Sequence, residues 1–217
     1  MLTHARKGDK IVLLRVVPKP KAMSAKGQKT TTSGMSWNEA LGLMHRLKQD
    51  GKHRDYLLIC CGCFMGLRIG DLLNIRFNQV LDKEDFLITE QKTGKQRRIT
   101  IHDTVKDALR FVSGELMKKG RFDNDGYLFA NRWGGPLTRC YVNRQLKTIF
   151  AHYKIRVQNP SSHTLRKTFG RRVWESDNKN ERSLVYLSEI FSHSSLQVTR
   201  LYLGITAGTI ANVYKSL

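Results

Sequence analysis

The hydrophobic and polar positions after Ser36 follow a helical period. Apolar residues recur at spacings of three and four, which predicts an amphipathic helix that ends near Gly51. Ser36 and Glu39 have the spacing of a capping box, in which their side chains accept hydrogen bonds from free amides of the first turn. The stripe expected to face the core consists of Ala40, Leu41, Met44 and Leu47.

Helical periodicity also covers most of the remaining chain. The first of these stretches is almost wholly apolar, which indicates a buried helix. The predicted helices occupy residues 54–64, 67–75, 103–118, 138–152 and, with breaks near Asn178 and His193, most of the chain from residue 163 to a last helix at about 206–214.

One segment has the period of β-structure. Residues 86–89 and 97–101 are typical of strands, and Gly94 between them suits a tight turn. These features predict a β-hairpin whose tip carries Lys92 and Lys95. The expected fold class is therefore mainly α with a small antiparallel β-sheet (α+β).

A strong positive charge narrows the range of partners. The 217 residues include 38 Lys and Arg against 18 Asp and Glu, a formal net charge of +20, and 40% of residues are hydrophobic. A foldable chain with this excess points first to nucleic acid, with an anionic membrane surface or a ribosomal environment as alternatives. The longest apolar stretch, residues 56–67, is too short to span a membrane, and we identify no signal peptide.

Residues 1–35 differ in composition from the rest. They carry eight Lys or Arg against one Asp, which predicts a flexible basic arm ahead of a folded domain over residues 36–217. Two interpretations of the arm remain open, namely a tail that tracks phosphates and a disordered terminus.

The cysteines do not suggest a metal site. Cys60, Cys61 and Cys63 crowd one apolar stretch, where they are expected to act as small buried hydrophobes. Their spacing lacks the paired pattern of a zinc site. We expect neither a metal nor a cofactor. The cysteine content favours the reducing cytoplasm as the location of the protein.

Candidate chemistry is concentrated towards the C-terminus. His163 and Arg166 are three residues apart and share a face on a helix, and His193 precedes Tyr202 by nine residues. Phosphoryl transfer to a protein hydroxyl requires such a set, since donors and cations must hold the charge that develops on the phosphate. Each residue also has a plain interpretation as an ordinary structural or surface side chain.

Two upstream cations fit the same chemistry. Arg68 lies at an apolar helix start, where its guanidinium either pairs with Asp71 or grips a phosphate through two bonds. Lys92 is either simply solvated or carries an ammonium to a leaving oxygen as general acid, with Lys95 as the second candidate.

The order of these residues resembles the catalytic pattern of the tyrosine recombinases of the phage-integrase family. That pattern is Arg, hairpin Lys, His-x-x-Arg, His or Trp, then Tyr. The runs Gly-Leu-Arg-Ile-Gly-Asp-Leu-Leu-Asn-Ile-Arg and His-Thr-Leu-Arg-Lys-Thr-Phe are similar to the family's typical sequences, and the resemblance covers about residues 36–217. The six matching positions are Arg68, Lys92, His163, Arg166, His193 and Tyr202.

The resemblance implies the fold of a recombinase catalytic domain and a transesterification that needs neither metal nor ATP. In this scheme Tyr202 attacks the scissile phosphate, forms a 3′-phosphotyrosyl bond and releases a 5′-hydroxyl. His163 helps to take the tyrosine proton, and Lys92 protonates the leaving oxygen.

The remaining positions of the pattern imply phosphate binding. Arg68 and Arg166 would neutralise the equatorial oxygens, and His193 would donate to one of them. Other basic residues would hold the DNA backbone, which makes binding sensitive to salt. The candidates for that role are Lys95, Lys167 and Arg171.

The implied partner is double-stranded DNA, bound by a homotetramer in which the helix at about 206–214 docks on a neighbouring protomer. Accessory DNA-bending proteins are compatible with this scheme. The expected setting is the nucleoid in the cytoplasm of a bacterium, with a bacterial or phage origin. No membrane association is expected.

Two departures from the family pattern are present. The third motif usually contains Leu-Gly-His, and here it is Phe191-Ser192-His193. Most members also carry an N-terminal DNA-clamping domain, which 35 residues cannot build. The chain therefore resembles either the minimal members that consist of a catalytic domain or a truncated form of a longer member.

Three functions are consistent with the sequence. The first is a site-specific recombinase or integrase that performs integration, excision or inversion. The alternatives are a DNA-binding regulator without chemistry on the same fold, and a nicking-closing enzyme similar to type IB topoisomerases.

Overall fold

A computed structural model of the chain describes residues 32–205. Within this range the chain is mainly helical with one two-stranded antiparallel sheet, which confirms the predicted fold class. The elements in chain order are α1 (Trp37–Gln49), α2 (His53–Met65), α3 (Ile69–Leu73), α4 (Phe77–Val80), β1 (Asp85–Thr89), β2 (Gln96–Thr100), α5 (Asp103–Lys118), α6 (Arg139–His152), α7 (Ser162–Ser176), α8 (Glu181–Phe191) and α9 (Leu196–Leu203). The helix expected at 206–214 lies outside the described residues.

Helix α1 begins at the predicted capping box. Ser36 Oγ accepts from the amide of Glu39, and the Glu39 carboxylate accepts from the amide of Ser36 at 3.0 Å. The predicted core stripe is wrong at one position, because Leu41 is 41% exposed whereas Leu43 is fully buried. The buried stripe is Ala40, Leu43, Met44 and Leu47, which is the i, i+3, i+4, i+7 face of the helix.

Helix α2 lies at the centre of the domain and packs against α1, α5 and α7. Its three cysteines are buried among core residues, as predicted. Gly62 permits the close approach of α7, because a Cβ there would lie 2.5 Å from Leu165 Cδ1. Gly66 ends the helix in the left-handed conformation with φ of 60°.

The segment after Gly66 differs from its prediction. The helix expected over residues 67–75 covers only Ile69–Leu73, with Arg68 in an extended conformation as its N-cap. The short helix α4 was not predicted. Its first amides donate outside the helix, from Phe77 to Gly126 O at 3.1 Å and from Asn78 to Asn124 O at 2.8 Å.

The hairpin forms as predicted, with Asp85 opposite Thr100 and Thr89 opposite Gln96. Phe86 anchors it in the main core. The tip is closed by two backbone hydrogen bonds, from Glu90 N to Lys95 O at 2.9 Å and from Gly94 N to Glu90 O at 2.8 Å. The tip carrying Lys92 is therefore a defined turn.

Helices α7, α8 and α9 enclose a second, smaller hydrophobic cluster. Its buried residues are Leu184, Leu187, Phe191 and Leu203, and the partly buried Tyr202 packs against them. Because α7 also contacts α2, it links this cluster to the main core.

The last residues of the predicted N-terminal arm pack on α7. Met35 is buried and its amide donates to Thr168 Oγ1 at 2.9 Å, and Thr32 Oγ1 lies 2.9 Å from Thr164 Oγ1. Ser33 forms a backbone hydrogen bond to Gln158 at 3.1 Å. Among the described residues, no helix is long and apolar enough to cross a membrane.

Candidate active site

Two arginines from distant parts of the sequence meet at the C-terminal end of α8. Arg68 donates from Nη2 to the Phe191 carbonyl at 2.9 Å, and Arg166 donates from Nη2 to the same oxygen at 3.0 Å. Arg166 also donates from Nη1 to Gly66 O at 2.6 Å, and its side chain is buried. Backbone carbonyls at a helix C-terminus carry partial negative charge, so they stabilise both guanidinium groups.

The ion-pair partner of Arg68 is Glu90. Arg68 Nη1 lies 2.7 Å from Glu90 Oε2, and the Glu90 side chain is only 1% exposed. The partner considered from the sequence, Asp71, accepts instead from the amide of Gln91 at 2.9 Å. Asp71 thus fixes the backbone next to Lys92, while Arg68 contacts the carboxylate that precedes the hairpin tip.

Tyr202 points its hydroxyl at His163. The Tyr202 oxygen lies 3.3 Å from His163 Nδ1, and the phenol ring packs edge-on against Phe191 and His193. Lys167 places its Nζ 5.0 Å from the centre of the phenol ring. The tyrosine is therefore half-buried with an imidazole at its reactive atom.

His193 follows directly after the C-cap of α8. Its Nδ1 lies 3.0 Å from Thr199 Oγ1 in α9, which fixes the ring orientation. The preceding residue, Ser192, is in the left-handed conformation with φ of 50° and ψ of 46°. This explains why the family usually has glycine at this position, since glycine adopts that conformation without strain.

A cavity of about 630 Å³ opens beside these residues. It brings together the hairpin tip, the start of α3, the start of α6 and the start of α7. The charged or titratable side chains that line it are Arg68, Asp71, Lys92, Arg139, His163 and Arg166.

Comparisons with known proteins identify the family and the fold of the chain. The profile described as the phage integrase family matches residues 34–207. The chain belongs to the phage integrase family.

Two relatives of known sequence illustrate the range of lengths in the family. Tyrosine recombinase XerH of Campylobacter jejuni is 30% identical over 152 residues, which cover 69% of this chain and 40% of XerH. Probable integrase/recombinase YoeC of Bacillus subtilis is 31% identical over 163 residues, which cover 75% of this chain and 83% of YoeC. The chain thus spans less than half of XerH and most of YoeC.

Solved recombinase structures share the fold. The crystal structure of XerA recombinase has a TM-score of 0.64 at 22% identity and covers 86% of this chain and 66% of XerA. The structure of the XerH site-specific recombinase bound to its difH substrate has a TM-score of 0.62 at 21% identity, covering 78% of this chain and 50% of XerH. The fold is therefore that of the recombinase catalytic domain.

The electrostatics of this phage-integrase site favour neutral imidazoles and a neutral phenol. Burial, followed by the charges of Arg166 and Arg68, lowers the pKa of His193 to about 4. Burial and then Arg166 and Lys167 also lower the pKa of His163. Burial raises the pKa of Tyr202 to about 12, although Arg166 and Arg68 oppose this shift. A neutral His163 can accept a proton from the tyrosine.

The other sequence candidates lie in different surroundings. Lys95 is exposed on the hairpin tip. Lys167 is only 8% exposed and packs against the ring of Tyr202. Arg171 lies one turn further along α7, with Nε 3.8 Å from Glu175 Oε1.

Three residues of the site were not identified from the sequence. Glu90 and Arg97 belong to the hairpin, and Arg139 is the first residue of α6. The sequence gives little reason to single out Arg97 or Arg139, because they are two of 38 basic residues. Glu90 has a stronger signal in the sequence, since it is an acidic residue two positions before Lys92 in a strongly basic chain.

Proposed function

We propose that this chain is the catalytic domain of a site-specific DNA recombinase, which cleaves and rejoins double-stranded DNA through a 3′-phosphotyrosyl intermediate. The observation that carries the proposal is the contact of Tyr202 with His163 beside two arginines that share one carbonyl. A phenol activated by a base and facing fixed cations is suited to attack on a phosphodiester.

The proposed reaction replaces one phosphorus–oxygen bond with another. The Tyr202 oxygen forms a bond to phosphorus as the bond from phosphorus to the 5′-oxygen breaks. His163 accepts the phenolic proton, since its Nδ1 lies 3.3 Å from that oxygen. Lys92, at the exposed hairpin tip, supplies a proton to the leaving 5′-oxygen. Attack by a 5′-hydroxyl of a partner duplex reverses these transfers and completes strand exchange.

Arginine side chains suit the charge that develops on the phosphorus. Arg68 and Arg166 can each direct two N–H groups at nonbridging oxygens. Burial lowers the pKa of Arg166 to about 10, which still leaves it charged at neutral pH. His193 completes the set as a donor to one of these oxygens.

The proposed partners follow from the same scheme. Lys95 and Arg171 contact DNA phosphates, and Lys167 adds positive charge beside the nucleophile. A homotetramer assembles on DNA through residues 206–214, with accessory proteins that bend the DNA. The reaction takes place in the nucleoid of a bacterial cytoplasm.

Formation of a covalent adduct tests this function. The protein is incubated with nicked duplexes taken from the DNA that flanks its own gene, and a denaturant-resistant protein–DNA adduct is measured. Tyr202→Phe removes the nucleophile, whereas Tyr186→Phe, at an exposed position of α8, is the matched control. We expect the adduct in the wild type and in Tyr186→Phe, and none in Tyr202→Phe.

Other results would contradict the proposal. Tight DNA binding without an adduct in any of the three proteins would indicate a regulator that lacks the chemistry. Relaxation of supercoiled DNA without recombinant joints would indicate a nicking-closing enzyme.

A further inference from the structure

Glu90 is a buried carboxylate at the point where the hairpin meets the end of α8. It follows β1 directly, and its backbone forms both hydrogen bonds that close the tip carrying Lys92. Its side chain points away from solvent and is 1% exposed. A carboxylate is rarely buried to this degree unless cations and donors satisfy it.

Four side chains surround this carboxylate. Oε2 accepts from Arg68 at 2.7 Å, from Thr93 Oγ1 at 2.7 Å and from Ser192 Oγ at 3.1 Å. Oε1 lies 3.4 Å from Arg97 Nε. These partners come from the start of α3, the hairpin tip, the turn after α8 and β2.

Three of these four partners are linked to the residues of the proposed reaction, and Arg97 is the exception. Thr93 is next to Lys92, Ser192 is next to His193, and Arg68 is itself a proposed phosphate ligand. A single carboxylate thus connects three parts of the site that are far apart in the sequence. This connection does not need DNA.

The charges nearby explain why the carboxylate is needed. Arg68 and Arg166 share the Phe191 carbonyl, and Arg97 donates to the adjacent Ile190 carbonyl. Arg97 Nε has no hydrogen-bond partner among the described residues, and the opposite charge that it faces is that of Glu90. Without a negative charge here, the guanidinium groups would repel one another.

The carboxylate is also ionised at neutral pH. Burial by itself would raise the pKa of Glu90, but the hydrogen bonds from Thr93, Arg68 and Ser192 outweigh it and lower the pKa to about 2.

We propose that Glu90 is a positioning residue, which orients Arg68 and aligns the Lys92 turn and the His193 turn before DNA binds. This inference rests on the proposed recombinase function. Glu90 does not touch the DNA in this scheme and acts through Arg68 and the two turns.

Glu90→Gln tests the role with little change of shape. The amide oxygen of the glutamine can replace Oε2 and accept from Arg68 and Thr93. The amide NH2 group then takes the place of Oε1, so that two hydrogen-bond donors face each other at Arg97. Glu84→Gln is the matched control, because it removes the same charge from a side chain that is 85% exposed. All variants use the full chain, and single-turnover cleavage is measured at saturating DNA together with the DNA dissociation constant and thermal unfolding.

The expected result is a loss in the chemical step. Glu90→Gln should cleave roughly 10- to 100-fold more slowly, which is the usual cost when a supporting contact no longer orients a reactive group. Its dissociation constant should be no larger than that of Glu84→Gln, since both lose one negative charge and the charge of Glu90 lies beside the proposed phosphate ligands. Cleavage by Glu90→Gln at the rate of Glu84→Gln would overturn the proposal.

A double-mutant cycle separates positioning from a general structural effect. If Glu90 acts mainly through Arg68, then Glu90→Gln should slow cleavage much less in an Arg68→Lys background than in the wild type. If the fold-loss in cleavage rate of the double variant equals the product of the losses of the two single variants, the proposed coupling is contradicted. A wild type that forms no Tyr202-dependent adduct would instead refute the recombinase function, so the two failures are distinct.

Thr93→Val provides a test if Glu90→Gln does not fold. It removes one hydrogen bond to the carboxylate at an exposed position and leaves the charge in place. We expect several-fold slower cleavage with an unchanged dissociation constant. Cleavage at the wild-type rate would overturn the proposal.

Discussion

Gly66→Ala tests the junction on which both arginines depend. Gly66 ends α2 with φ of 60°, and its carbonyl accepts from Arg166 at 2.6 Å. A Cβ at this position would lie 2.4 Å from Cδ1 of Phe169, which belongs to α7. The substitution therefore introduces both backbone strain and a steric clash at one place.

The two costs can be estimated separately. A residue with a Cβ in the left-handed region costs about 1–2 kcal/mol, and overpacking in a filled core typically costs about 1–3 kcal/mol. Their sum for Gly66→Ala is about 2–5 kcal/mol, against a total stability of about 5–15 kcal/mol for a typical domain. At this chain length the unfolding midpoint should fall by about 4–20 °C.

Two other glycines separate strain from clash. Gly94 has φ of 68°, and a Cβ there would meet no atom within 4 Å beyond its chain neighbours, so Gly94→Ala reports the backbone cost alone. Gly62 has a helical backbone and a clash with Leu165, so Gly62→Ala reports overpacking, reduced by the about 1 kcal/mol that alanine gains over glycine within a helix. Free energies of unfolding from urea titrations give all three values. If Gly66→Ala costs no more than Gly94→Ala, the close contact between Gly66 and Phe169 is refuted.

Three further predictions concern the site and the core. The free energy of unfolding should decrease as the pH falls from 6.5 towards 4, because His193 is protonated in this range in the unfolded chain but stays neutral in the folded protein down to about pH 4. His193→Gln should reduce this pH dependence in unfolding titrations. Ser192→Ala should be less stable than Ser192→Gly by about 1 kcal/mol, since both lose the hydroxyl but only alanine keeps the left-handed strain. A thiol reagent counted by mass spectrometry should modify the exposed Cys140 in the folded protein, and the three buried cysteines of α2 only after unfolding.

Local sequence signals were sufficient for the long elements. The capping box at Ser36, the apolar period of α5 and α6 and the glycine of the hairpin turn each depend on neighbours within a few residues. The short helices depend on distant contacts instead. Arg68 stays extended while its side chain contacts Glu90 and Phe191, and α4 is too short to show a period.

The candidate site likewise contains residues that the sequence pattern predicts and contacts that only the fold determines. Its six pattern residues were predicted from their order along the chain, by resemblance to the family pattern. Asp71 was the nearest acidic residue to Arg68 in the sequence, but Glu90 is the partner because the hairpin folds back onto the start of α3. Sequence separation therefore could not predict which carboxylate would pair with the arginine.

The buried ions also set the charge that the site offers to a phosphate. Arg68 and Arg97 contact the Glu90 carboxylate, and Arg166 shares the Phe191 carbonyl with Arg68. Within this cluster, three positive charges and one negative charge leave a net charge of two. In the proposed reaction, a phosphodiester brings one negative charge and gains more as the phosphorane forms. A site with this excess stabilises the phosphorane more than the bound diester, which is the condition for lowering the barrier. Glu90 thus has two effects in this scheme: it fixes the geometry of Arg68, and it keeps the excess small enough for the cluster to fold before DNA arrives.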